Sequence, residues 1–157
     1  RIQSGNFADG HMDARDEFIW QDGHEDYTEF SADETEAGWS ITGTRVNGSL
    51  EETFTLSGSE GELTGTWSRE DEGVDASGSF TMTELEGGGG HLVFEAEDLL
   101  AEGEPQVTGD LWYEPDGSGH GTVTITQFGN TVTYDIEWSA DGEGSLSDGE
   151  GNTIPLG

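Results

Sequence analysis

The 157-residue chain contains no cysteine and no lysine, only three prolines, and no apolar run near the ~18 residues that a membrane-spanning helix needs. Without Cys, neither disulfides nor thiolate chemistry is available. Without Lys, positive charge rests on Arg1, Arg15, Arg45 and Arg69 against 35 acidic residues, a formal net charge of −31. From Glu70 to Gly157 there are twenty acids, and His91 and His120 are the only candidate cations. Nucleic acid and anionic membrane surfaces are bound through Lys and Arg, so both are excluded as partners, and no membrane span is expected. Catalytic signatures are missing too: there is no Gly-x-Ser-x-Gly elbow, and the four His share no zinc-like spacing.

What the chain does have is glycine, threonine and aromatic residues. Its apolar fraction is 30%, but five Trp, seven Phe and three Tyr carry large areas per residue. The length fits one domain, 1–157. Self-repulsion at this charge loosens a compact state at low ionic strength and is largely screened at molar salt, where the Debye length is about 3 Å. A saline habitat, divalent cations bridging carboxylates, and a simple solvated acidic face remain three open explanations. The start at Arg1, without Met, predicts a trimmed region of an exported protein, extracellular or at the cell surface.

Period-two alternation predicts strands. It is clearest where Val132, Tyr134, Ile136 and Trp138 interleave with Thr131, Thr133, Asp135 and Glu137, preceded by Val123 and Ile125 among threonines. Phe128-Gly129-Asn130 reads as the tight turn between them. Further strands are predicted at 18–20, 27–30, 39–46, 53–56, 63–67, 79–83, 91–96 and 107–113, punctuated by turns such as Asn47-Gly48 and Asp141-Gly142. The one helical candidate is 95–102, with Gly103 as cap and Pro105 beyond.

Ile41-Thr42-Gly43, Leu63-Thr64-Gly65, Leu85-Glu86-Gly87 and Val107-Thr108-Gly109 recur every 22 residues, enough for one hairpin per repeat. Over residues 62–126, an apolar-x-Gly strand followed by a Gly turn and a second short strand resembles hairpin repeats of the MORN kind, closest at Leu63-Thr64-Gly65-Thr66-Trp67. The aromatic-x-Gly core of that repeat is otherwise absent, and the resemblance implies hairpins but no function.

The expected fold is therefore all-β: an antiparallel meander of about ten strands around an aromatic core. It would close as a β-sandwich or an up-and-down barrel, or be completed by strand exchange with a neighbour. Asn152-Thr153-Ile154-Pro155-Leu156 is the candidate assembly strand, since Pro155 fits an edge and not a centre.

Calcium is the ion whose ligand chemistry the sequence supplies, at Asp141, Glu143, Asp148 and Glu150, although Leu146 stands where an EF-hand loop needs Gly. Asp-Gly turns explain the same residues with no ion, and no other cofactor is expected. The carboxylate pairs Glu95/Glu97 and Asp135/Glu137 fall opposite the apolar positions and read as solvated. Trp112 and Tyr113 are candidates for stacking on a glycan, while Trp20, Trp39, Trp67 and Trp138 are expected in the core. With no convergent polar site, no enzyme is expected. The favoured expectation is a non-enzymatic structural protein, a homo-oligomer that builds a filament, sheath or matrix by strand pairing. The alternative is a monomeric barrel or sandwich that binds a glycan or a small apolar ligand.

Overall fold

The computed structural model describes residues 2–156, with side chains over 8–155. Thirteen strands follow one another: β1 (Ile2–Ala8), β2 (His11–Ile19), β3 (Glu25–Thr35), β4 (Gly38–Asn47), β5 (Leu50–Ser59), β6 (Glu62–Asp71), β7 (Val74–Glu84), β8 (Gly90–Asp98), β9 (Gln106–Tyr113), β10 (Gly119–Gln127), β11 (Asn130–Trp138), β12 (Gly144–Ser147) and β13 (Thr153–Leu156). Each pairs antiparallel with its sequence neighbours, so the chain is one meander in a single sheet ordered β1 to β13. Tight turns make this possible. Phe128 and Gly129, both at positive φ, connect the paired residues Gln127 and Asn130. Between β4 and β5 the two-residue loop is Gly48-Ser49, one position later than the Asn47-Gly48 turn predicted, with Gly48 at φ 62° in the first central position.

The all-β meander agrees with the sequence, but the closure does not. Among the described residues β1 pairs only with β2 and β13 only with β12, so the sheet is open and forms neither a sandwich nor a barrel. The count is thirteen because β1 and β12, absent from the sequence reading, are both paired strands. The helix predicted over 95–102 is absent. Ala96, Glu97 and Asp98 pair with Gly78, Ser77 and Ala76 of β7, and the Asp98 carboxylate accepts hydrogen bonds from the Leu100 and Ala101 amides at 3.1 Å, which turns the chain directly after the strand. The 22-residue recurrence is not the structural unit either. Ile41 lies opposite Leu56, which lies opposite Gly65, an offset of 24 residues, and Leu85-Glu86-Gly87 falls in the turn after β7.

Register sorts the sheet into two faces, because paired residues share a face and alternate residues oppose it. One line runs Ala14, Phe30, Gly43, Phe54, Trp67, Gly78, Ala96, Val107, Ile125, Val132 from β2 to β11. The next runs Met12, Ala32, Ile41, Leu56, Gly65, Phe80, Phe94, Gly109, Val123, Tyr134. A third runs Trp39, Gly58, Leu63, Met82, Leu92, Leu111, Gly121, Ile136, Leu146, Ile154. All three lie on one face, and none contains a charge.

The opposite face is hydroxylic and acidic. At its centre Ser40, Thr42 and Thr44 of β4, Thr53, Thr55 and Ser57 of β5, Thr64, Thr66 and Ser68 of β6, and Ser77, Ser79 and Thr81 of β7 lie side by side. Hydroxyl pairs bond across strands at 2.7 Å between Thr53 and Ser68, Thr55 and Thr66, and Ser57 and Thr64.

A single layer has nothing to bury its apolar face against. No hydrophobic side chain among the described residues is buried, and the expected aromatic core does not exist: Trp39 is 42% exposed, Trp67 41% and Trp20 47%. The only buried residues described are Gly65, Gly90 and Gly109. Each lies under an aromatic ring of the adjacent strand: Phe80, Tyr113 and Phe94 respectively.

Candidate functional site

In seven cross-strand pairs on the apolar face an aromatic ring covers its glycine partner. These are Trp39 with Gly58, Phe54 with Gly43, Phe80 with Gly65, Trp67 with Gly78, Phe94 with Gly109, Tyr113 with Gly90 and Trp138 with Gly119. A Cβ on any of these glycines would collide with the partner ring. The rings therefore lie down across the neighbouring strand, and the apolar face is a smooth plate, not a row of projecting side chains. Single-sequence reading assigned glycine to turns. The signal it passed over is glycine at apolar-face positions inside alternating strands, such as Gly43, Gly65 and Gly109.

Charge is absent from the three central lines and appears on this face only towards its margins, at positions such as Asp16, Asp26, Glu34, Arg45 and Glu52. Arg45 donates to Glu52 at 3.2 Å, and Arg69 stands 3.9 Å from the same carboxylate, at one margin of the apolar face. On the other face Arg15 donates to Glu29 at 2.8 Å and to Glu17 at 3.3 Å, with its guanidinium 4.2 Å above the Tyr27 ring. His11 bridges Asp33 at 2.6 Å and Asp13 at 2.9 Å. The bond to Asp33, then that to Asp13, holds its imidazole above the ordinary value, and the bond to His11 holds Asp13 below its own.

Trp112 and Tyr113 do not act together. Trp112 lies on the hydroxyl face, its ring stacked on His91 with centroids 3.9 Å apart, and His91 reaches Asp110 at 2.6 Å. Tyr113 lies on the apolar face, over Gly90, with its hydroxyl 3.2 Å from the Met82 sulfur. Glu95 and Glu97 are both on the hydroxyl face, where Glu95 accepts from Ser79 at 3.1 Å.

The four acids singled out for calcium are split between two turns. Asp141 and Glu143 stand before the four-residue β12 and Asp148 and Glu150 after it, at opposite ends of a strand roughly 13 Å long. Asp148 is engaged locally: it accepts from the Asn152 side chain at 2.6 Å and from the Glu150 and Asn152 amides at 2.9 and 3.1 Å. The Asn152 side chain, foremost, holds its carboxyl below the usual range. No group of three or more metal-ligating side chains converges among the described residues.

The predicted assembly segment is the last strand. Thr153, Ile154, Pro155 and Leu156 pair with Ser147, Leu146, Ser145 and Gly144, leaving the other side of β13 without a neighbour in the chain, while Asn152 belongs to the preceding turn. β1 is the equivalent free edge seven residues long at the other end. The chain thus offers three kinds of surface: two strand edges, a hydroxyl face and an apolar plate. No protein-family model matches it, and neither a curated protein nor a solved structure is significantly similar.

Proposed function

We propose that the chain is a non-catalytic structural subunit of an extracellular or cell-surface filament, sheath or matrix, assembled by β-strand pairing in a saline setting. The observation that carries the reading is the open sheet, with β1 and β13 each left with one unpaired side. Joining the β13 edge of one copy to the β1 edge of the next is a heterologous contact. Repeated, it extends the meander without closing. The −31 charge opposes such growth at low ionic strength and permits it when screened. Electron microscopy of the purified protein at low and molar salt tests this. Elongated assemblies at molar salt that are lost on Thr153→Pro, which removes an edge donor, are the expected result. Discrete particles of one size under all conditions would end the proposal.

A second reading rests on Trp112, 39% exposed on the hydroxyl face beside Asp110 and His120: a platform for a glycan. Saturable quenching of Trp emission by an oligosaccharide, abolished in Trp112→Ala, is its expected signature, and silence across a glycan panel removes it.

A further inference from the structure

The chain exposes more surface than a compact chain of its mass. The accessible surface is 10337 Å² for 16.8 kDa, against roughly 7,600 Å² for a folded monomer of that mass. The excess, roughly 2,700 Å² per chain, is of the size that covering one face of the layer with a second copy would remove. The total for two copies, on the order of 5,000 Å², lies at the upper end of obligate homodimers. Seven of the fifteen exposed large hydrophobics among the described residues lie on this face: Met12, Phe18, Trp39, Trp67, Ile125, Val132 and Ile154 are each 36–55% exposed. Contiguous apolar patches on monomers seldom exceed a few hundred Å².

We infer that the partner of this face is a second copy of the same chain, packed plate to plate as a two-layer sandwich about ten strands wide or more, with the hydroxyl faces outward. The inference rests on the reading of the chain as an assembling subunit and names the surface through which its pairs form. Three features select a second copy. The first two lines carry no charge across β2 to β11 and the third none from β4 to β13, its β3 partner Glu34 standing at the margin, so two molecules at −31 can approach with the centres of their plates free of like-charge contacts. The rings lie over glycines, which keeps the layer thin enough for the remaining apolar side chains to interdigitate with those of a facing sheet at about 10 Å. The plate is also matched in length and chemistry by an identical plate, as a two-fold interface demands.

The test is sedimentation equilibrium at molar NaCl on the unmodified chain and on Ile125→Lys, Val132→Lys, Val93→Lys and Thr153→Pro, with circular dichroism to confirm folding. Each Lys lowers the net negative charge equally, so general electrostatics favours association in all three. Ile125 and Val132 face each other on the plate, whereas Val93, 43% exposed, pairs with Asp110 on the opposite face. Plate-paired dimers are expected for Thr153→Pro, and the same dimers joined into larger assemblies for the unmodified chain and Val93→Lys, with plate dissociation constants at least roughly a hundredfold larger for Ile125→Lys and Val132→Lys, which bury an unpaired charge. Plate variants that associate as tightly as Val93→Lys would overturn the inference, as would association lost in Thr153→Pro alone, which leaves edge pairing standing. Dimers without larger assemblies would instead remove edge pairing and keep the plate. A monomer that binds zwitterionic vesicles assigns the plate to lipid and overturns it. Should the Lys variants fail to fold, dilution of the unmodified chain decides. Trp39, Trp67 and Trp138 on the plate must shift to the red and become more quenchable by acrylamide, and unchanged emission contradicts the pairing.

Discussion

A Cβ added at Gly65 would meet the Phe80 ring and the Leu56 side chain, in a position where the backbone is already buried. Glycine inside a strand ordinarily weakens it, so its use at seven ring-covered positions trades intrinsic strand preference for contact between ring and backbone. Gly65→Ala is expected to destabilise the chain by about 1–3 kcal/mol through overpacking, read from the urea midpoint at molar salt; a neutral result would show that the ring is free to lift. The ionisable residues set the pH response. His11 is held above its ordinary value by Asp33 and Asp13, so its contribution is complete below about pH 6.5 and is lost as pH rises through the raised value. Asp71, Asp116 and Asp148 are held below theirs, foremost by the Ser49, Ser118 and Asn152 side chains. Their contribution is present above about pH 4 and is lost as pH falls through the lowered values. Thermal unfolding scans should therefore peak between about pH 4 and 6.5, and His11→Asn should flatten the alkaline side of that peak and, by releasing Asp13, a part of the acid side.

At the scale of elements, alternation alone located most of the sheet. Val123 to Trp138 emerges as the predicted hairpin, and β4 to β11 fall on predicted strands because their outward positions are threonine and serine and their inward positions apolar. β2 was visible only at its end, because Asp16 occupies a plate-side position and breaks the pattern. β12 was hidden by its own flanks: four residues between two Asp-Gly turns look like loop until Leu146 is seen aligned with Ile136 and Ile154. The 95–102 segment reads as helix by composition, but Ala96 to Asp98 have β7 partners, and tertiary pairing overrides propensity. Trp112 and Tyr113 were separable by alternation, whereas the separation of the calcium candidates required knowing that β12 is extended. Amide exchange should follow the same hierarchy. Protection is expected to be greatest in β5 to β7, flanked on both sides by strands of ten residues or so, and least in β12 and β13; uniform protection would contradict a sheet that frays from its edges.

For the whole molecule, alternation stated that one face seeks cover but could not state what covers it, which is why a closed barrel or sandwich was expected and an open single layer is found. Charge acts at this scale as well. Raising NaCl from about 0.1 M to above 1 M shortens the Debye length from about 10 to 3 Å and should raise the unfolding temperature by several degrees, and a midpoint indifferent to salt would deny that self-repulsion matters. The proposed association would complete a sheet with two free edges and an uncovered plate. The most direct measurement of that claim is the mass of the unmodified chain by analytical ultracentrifugation over a dilution series at molar salt. The account predicts species of at least twice 16.8 kDa that dissociate only on dilution. A single monomeric species at every concentration would contradict it.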